Sequence, residues 1–99
     1  LLLVDSSSDY RVFLQYGNII DGYGIYIITS ESDKFVTGDK LIAIDGYTLS
    51  DLTTISTLLL EYEPGDVVTV TVSRKNQVGR REMIQLEHTL MEKTAVDYQ

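Results

Sequence analysis

Gly38-Asp39-Lys40-Leu41-Ile42-Ala43-Ile44-Asp45-Gly46 is a turn, a short apolar run and a second turn in direct succession. Leu41, Ala43 and Asp45 fall on one face of an extended chain, Ile42 and Ile44 on the other. Both faces are largely apolar, which predicts a central strand over Lys40 to Asp45, covered on both sides. Asp45-Gly46 is a tight-turn signal. From Asp51 to Tyr62 the apolar positions Leu52, Ile55 and Leu59 follow i, i+3, i+7 spacing and predict an amphipathic helix. Leu58 falls beside that stripe and Leu60 away from it, so the apolar face is wider than one core contact needs. Either one side of the helix lines a groove or the helix is packed on two sides. Pro64-Gly65 stops the helix, and Val67-Val68-Thr69-Val70-Thr71-Val72 is a β-branched strand.

Outward from this segment the punctuation stays dense. Asp5-Ser6-Ser7-Ser8-Asp9 is rich in helix N-cap types, and Gly17 suits a position just past a helix end. A short helix is therefore expected from about Ser8 to Tyr16. Turn signals around Asn18 and at Asp21-Gly22 lead into a strand over Tyr23 to Thr29. Ser30 to Thr37 reads as a loop or one distorted helical turn. Asp66 to Arg74 and Arg81 to His88 form a hairpin around Asn76-Gln77-Val78-Gly79. In it Val68, Val70 and Val72 alternate with Val67, Thr69 and Thr71, and Ile84 and Leu86 with Met83, Gln85 and Glu87. The expectation is one α+β domain over residues 1–90, followed by a frayed tail over 91–99.

Composition narrows the function. A chain of 99 residues suits one core without metal or disulfide support. No apolar run reaches the roughly 18 residues of a membrane span, and Leu1-Leu2-Leu3-Val4 is read as structure. The absence of Cys excludes disulfides, thiol nucleophiles and Cys-based zinc sites. A net charge of −7 argues against nucleic acid, whose phosphates need a basic surface. Arg74, Lys75, Arg80 and Arg81 do cluster in one hairpin, as a solubilising tip or a small anion-docking patch. His88 is the single histidine, expected at the exposed end of a strand, and no Gly-x-Ser-x-Gly context presents a nucleophile to it. Asp39 and Asp45 flank a strand too far apart to share a substrate, and suit turn and cap roles. No metal site, cofactor or catalytic residue is expected.

The order of these segments resembles the PDZ domains of bacterial HtrA/Deg-type serine proteases. The matching residues are Tyr16-Gly17, Gly24-Ile25-Tyr26-Ile27, the run from Gly38 to Gly46, Glu63-Pro64-Gly65 and Val68 to Arg74. The resemblance implies a partly open antiparallel β-barrel or sandwich of five to six strands, capped by two helices, in the circularly permuted bacterial strand order. The family's Ala-Gly-Leu helix before Gly-Asp is shortened here to Ser30–Thr37. Leu3 stands where the carboxylate-binding loop usually has Gly.

The function implied is capture of extended polypeptide C-termini by strand addition. Leu2, Leu3, Val4 and Asp5 would form the edge and carboxylate loop, with the amides of Leu2, Leu3 and Val4 cradling the terminal carboxylate. Thr54, Ile55, Leu58 and Leu59 would face the ligand from the helix, with an apolar preference at its last residue. Leu1 to Val4 as a plain core strand, and Leu58 as plain core, are the alternatives. The parent implied is an HtrA-like serine protease in the extracytoplasmic space of a bacterium, membrane-anchored and carrying the catalytic domain elsewhere. Lon-like and C-terminal processing proteases share the run from Gly38 to Gly65. A docking or oligomerisation module that binds no free C-terminus is the structural alternative.

Overall fold

The computed structural model describes residues 2–4, 11–19, 22–30, 34–63 and 65–90. They fold in the order β1 (Leu2–Val4), β2 (Arg11–Asn18), β3 (Tyr23–Ser30), β4 (Lys40–Ile44), β5 (Tyr47–Thr48), α1 (Leu52–Leu59), β6 (Val67–Lys75) and β7 (Arg81–Thr89). All strand pairs are antiparallel. The sheet runs β1-β2-β3-β4-β6-β7, with β5 paired to β4 alone. A small antiparallel sheet with one helix is consistent with the PDZ-like architecture that the sequence resembles.

The strand expected at Lys40 to Asp45 is β4, and it sits between β3 and β6 with Leu41, Ala43 and Ile44 buried. Its turn is two-residue and left-handed, with φ of 50° at Asp45 and 83° at Gly46. That backbone matches the twist of a tight hairpin, which is why Asp-Gly occupies it. A Cβ at Gly24 would meet the flexible Lys40 side chain, which would have to shift to admit it.

Val68, Val70 and Val72 are fully buried, as the alternation requires, and join Ile25, Ile27, Leu41, Ile44 and Ile55 in the core. Fully burying each such side chain contributes about 1.5–3 kcal/mol. The hairpin tip closes through Asn76, whose Oδ1 accepts from the amides of Val78 and Arg80 at 3.0 Å each.

Four expectations need correction. The helix from Ser8 to Tyr16 is absent from residue 11 onward, where the chain is β2, paired to β3 from Val12–Ser30 to Asn18–Tyr23. Residues 8–10 lie outside the described residues. Cross-strand pairing overrides the local capping signals, and α1 is the one helix among the described residues. The strands number seven among the described residues, rather than five to six. The helix ends at Leu59, short of Tyr62. His88 is fully buried, because its register opposite Val68 turns it inward, edge-on to Phe35 with ring centroids 5.4 Å apart.

Of the expected loop from Ser30 to Thr37, Ser30 is the last residue of β3 and residues 34–37 are loop, its end tied down by charge. Asp39, 2% exposed, takes Arg74 in a two-pronged pair, Nε to Oδ1 at 2.9 Å and Nη2 to Oδ2 at 2.7 Å. Asp39 Oδ2 also accepts from the Val36 amide at 3.0 Å, and Arg74 Nη2 donates to the Lys34 carbonyl at 2.8 Å. This pairing raises the Arg74 pKa, the hydrogen bond to Asp39 outweighing the opposing effect of burial. Arg81 likewise donates to the Ser73 carbonyl at 2.6 Å. Two of the four hairpin cations are thus committed within the fold, so the cluster is not simply a solubilising tip.

Replacing Arg74 with Met leaves the buried Asp39 carboxylate without its cation. The expected cost is about 3 kcal/mol, measured as a shift in the urea unfolding midpoint at pH 7. A loss below about 0.5 kcal/mol, the scale of an exposed pair, would contradict the structural role given to it.

Candidate functional site

The helix face and the sheet edge expected to meet a ligand are built by separate devices. The N-terminus of α1 is set by Asp51, whose extended backbone (φ −158°, ψ 178°) precedes the first turn. Its Oδ1 accepts from the Thr54 amide at 2.8 Å and from the Thr54 hydroxyl at 2.9 Å. These bonds, the amide foremost, hold the Asp51 carboxyl below its ordinary pKa. At the other end the amides of Leu60, Glu61 and Tyr62 donate three residues back, to Thr57, Leu58 and Leu59. This tightened exit satisfies carbonyls the helix would otherwise leave open.

Tyr62 anchors the exit to the sheet. Its hydroxyl donates to Asp45 Oδ2 at 2.9 Å, while Asp45 Oδ1 accepts from the Thr69 amide at 2.7 Å. Burial first, and then the bond to Asp45, push the Tyr62 pKa up to about 12. Asp45 therefore joins the β4 turn, β6 and the helix exit, as its expected turn role implies.

The residues expected to touch a ligand separate in this framework. Ile55 is fully buried and supports α1 from beneath, so the expectation that it lines a pocket is corrected. Leu58 and Leu59 are half-buried, packed against the core with part of each exposed. The Thr54 hydroxyl is bonded to the Asp51 cap. Thr54 and Leu58 come together in an open cleft of about 510 Å³, with Tyr47 and Thr48 of β5 and with Asp51, Thr53, Thr57 and Glu61. The periodic signal of Leu58 beside the core stripe pointed to this face. The part played by β5 had no counterpart in the sequence reading, because it depends on how the β4–β5 turn folds back toward α1.

Leu2–Val4 is strand β1, at one end of the sheet, paired to β2 through Leu2–Phe13, Leu3–Val12 and Val4–Arg11. One edge of β1 faces β2 and the other pairs with no strand among the described residues. Successive amides of a strand point to opposite edges. Leu2, Leu3 and Val4 therefore do not converge on one carboxylate, and the expected three-amide cradle is replaced by a ladder edge. Asp5 lies outside the described residues. α1 packs beside β2, the neighbour of β1. No group of His, Cys, Asp and Glu among the described residues could hold a metal ion, and none of their helices is long and apolar enough to cross a membrane.

A family model described as a PDZ domain matches residues 23–83, more than half of the chain. The chain belongs to that family. No curated protein and no solved structure matches it. PDZ domains are peptide-binding modules and are generally non-catalytic.

The two shifted groups at the ends of α1 make opposite predictions for stability. The Asp51 cap is at full strength above the ordinary carboxylate value of 3.8 and is lost as pH falls through its lower folded value. Asp51→Asn, which caps comparably without ionising, should flatten this acid limb in thermal melts from about pH 5 to about pH 2. An unchanged acid limb would contradict the cap assignment. The Tyr62 contribution is complete below its ordinary pKa of 10.0 and is lost as pH rises through about 12. Tyr62→Phe should remove the latest step of the tyrosinate absorbance titration, and an unaltered titration would exclude the bond to Asp45.

Proposed function

We propose that this PDZ domain captures extended polypeptide segments, preferentially C-termini with an apolar last residue, by adding them as a strand along the edge of β1 that no described strand occupies. The observation that carries the reading is the position of β1. It is a terminal strand of the sheet, one strand away from the element on which α1 packs. An unpaired strand edge presents donors and acceptors at strand spacing, and an extended peptide satisfies them without any change in the sheet. In an antiparallel arrangement the ligand's last residue falls against Leu2. Leu58 and Leu59 retain exposed apolar surface on α1 for its side chain. Thr54 is committed to capping and carries no charge, which fits an apolar rather than a hydroxyl-directed preference. The cost of ordering a flexible peptide holds the affinity to about 1–100 μM.

The larger assignment rests on the resemblance as a whole, from the Gly24 strand to the Val68–Arg74 strand, since the run from Gly38 to Gly65 is shared with Lon-like and C-terminal processing proteases. We infer that the domain serves substrate recognition or regulation in an HtrA-like serine protease of a bacterial cell envelope. A Ser-His-Asp protease domain in the sequence adjoining this stretch supports that parent, and an unrelated neighbour contradicts it.

The binding mode is tested by NMR titration with peptides ending in a free carboxylate on Val. Shifts are expected at the amides of Leu2–Val4 and at Leu58. Leu58→Glu should weaken binding at least tenfold, about 1.4 kcal/mol, with the fold retained. Shifts confined to the Arg74–Arg81 hairpin would overturn strand addition.

A further inference from the structure

The cleft between β5 and α1 has a consistent chemistry. Its lining holds two carboxylates, Asp51 and Glu61, and no Lys or Arg. Thr48, Thr53, Thr54 and Thr57 add hydroxyls, and Tyr47, 61% exposed, adds an aromatic face. The two carboxylates stand at opposite ends of the helix and are not equivalent. Asp51 lies at the positive end of the helix dipole, which already balances part of its charge. Glu61 lies just past the negative end, and α1 has no basic residue in its last turn to offset that end. The unbalanced negative potential is therefore greatest at Glu61, beside the half-buried Leu58.

A ligand ammonium or guanidinium matches this lining. It would meet a carboxylate, the negative end of a helix dipole with no basic residue in its last turn, and an exposed aromatic ring, the partners that favour cations. A second copy of this chain is the poorer match, because each copy carries a net charge of −7 and the two repel overall.

We propose that this cleft is a specificity pocket for a lysine or arginine side chain of the bound peptide, read chiefly by Glu61. The inference rests on the peptide-binding reading for the class of ligand, but not on the edge of β1. It makes the ligand basic as well as extended. Hydroxyls in the lining can accept further hydrogen bonds from either cationic group, and an open cleft keeps the pair partly hydrated, so discrimination is modest and salt-sensitive.

The test is fluorescence anisotropy with three labelled peptides that share an apolar C-terminus and differ upstream, carrying Lys and Arg, Ala, or Glu. The basic peptide should bind the wild-type chain about fivefold tighter than the Ala peptide at low ionic strength, with the Glu peptide weakest. The preference should fade in about 0.5 M salt. It should fall within about twofold for Glu61→Gln combined with Asp51→Asn, a change that keeps the helix cap. Equal binding of all three peptides overturns the pocket and leaves strand addition standing. A preference that survives the double substitution overturns it as well, by placing the reader elsewhere. A charge preference abolished by the substitutions, without shifts at Leu2–Val4, supports the pocket and overturns strand addition. If no peptide binds, or the cleft residues shift with protein concentration alone, the pocket and the peptide reading fall together.

Discussion

The pair between Asp39 and Arg74 is the constraint on which the remaining architecture depends. The family pattern that this chain resembles places a short helix before Gly-Asp, and here the described residues 34–37 ahead of it form a loop. A loop gains little from its own packing, so something must hold it over the core. Asp39, with a side chain 1% exposed, accepts Arg74 from β6 and the Val36 amide from its own loop. Arg74 reaches on to the Lys34 carbonyl, and the Lys34 ammonium to the Glu87 carbonyl of β7 at 2.8 Å. These bonds seat Phe35 in the core against His88. A buried charge pair adds little net stability over an apolar equivalent. Its value here is positional, since it decides where the loop goes.

The same division between frame and surface explains where function sits. Asp45 binds the β4 turn to β6 and to the exit of α1, and Asp51 fixes the helix entry. Asp45, so used, is removed from ligand chemistry, and Asp51 is largely committed to its cap. What remains for a partner is the edge of β1, the outer face of α1 and the cleft against β5. A PDZ domain needs no more than this, because main-chain pairing supplies attachment and a few side chains supply choice. The acidic cleft gives that choice a sign.

Much of this was legible in the sequence because it is local. The Asp45-Gly46 turn, the β-branched β6 and the stripe of Leu52, Ile55 and Leu59 are each written in a few neighbouring residues. β2 was not, because its segment carries strong capping signals ahead of it and only the tertiary partner β3 settles its conformation. Of its described side chains Leu14 alone is buried, with Gln15 and Tyr16 both exposed, so no clean period of two marks the segment as a strand. His88 was misplaced for a related reason, as a residue near a strand end looks exposed until its cross-strand partner is known. Asp39 and Arg74 are 35 positions apart, and no spacing rule links them. At the site, Leu58 was visible from helical periodicity. The burial of Ile55, the cap bond of Thr54 and the contribution of β5 to the cleft all required the fold.

Strand addition on β1 is the central claim, and amide hydrogen exchange of β1 tests it most directly. The amides that point away from β2 should exchange freely in the unliganded domain and slow by about tenfold or more when a Val-terminated peptide is bound at saturation. The inward amides, already paired to β2, should change far less. A saturating peptide that leaves the outward amides of β1 unprotected would contradict the account, wherever else on the domain that peptide was found to bind.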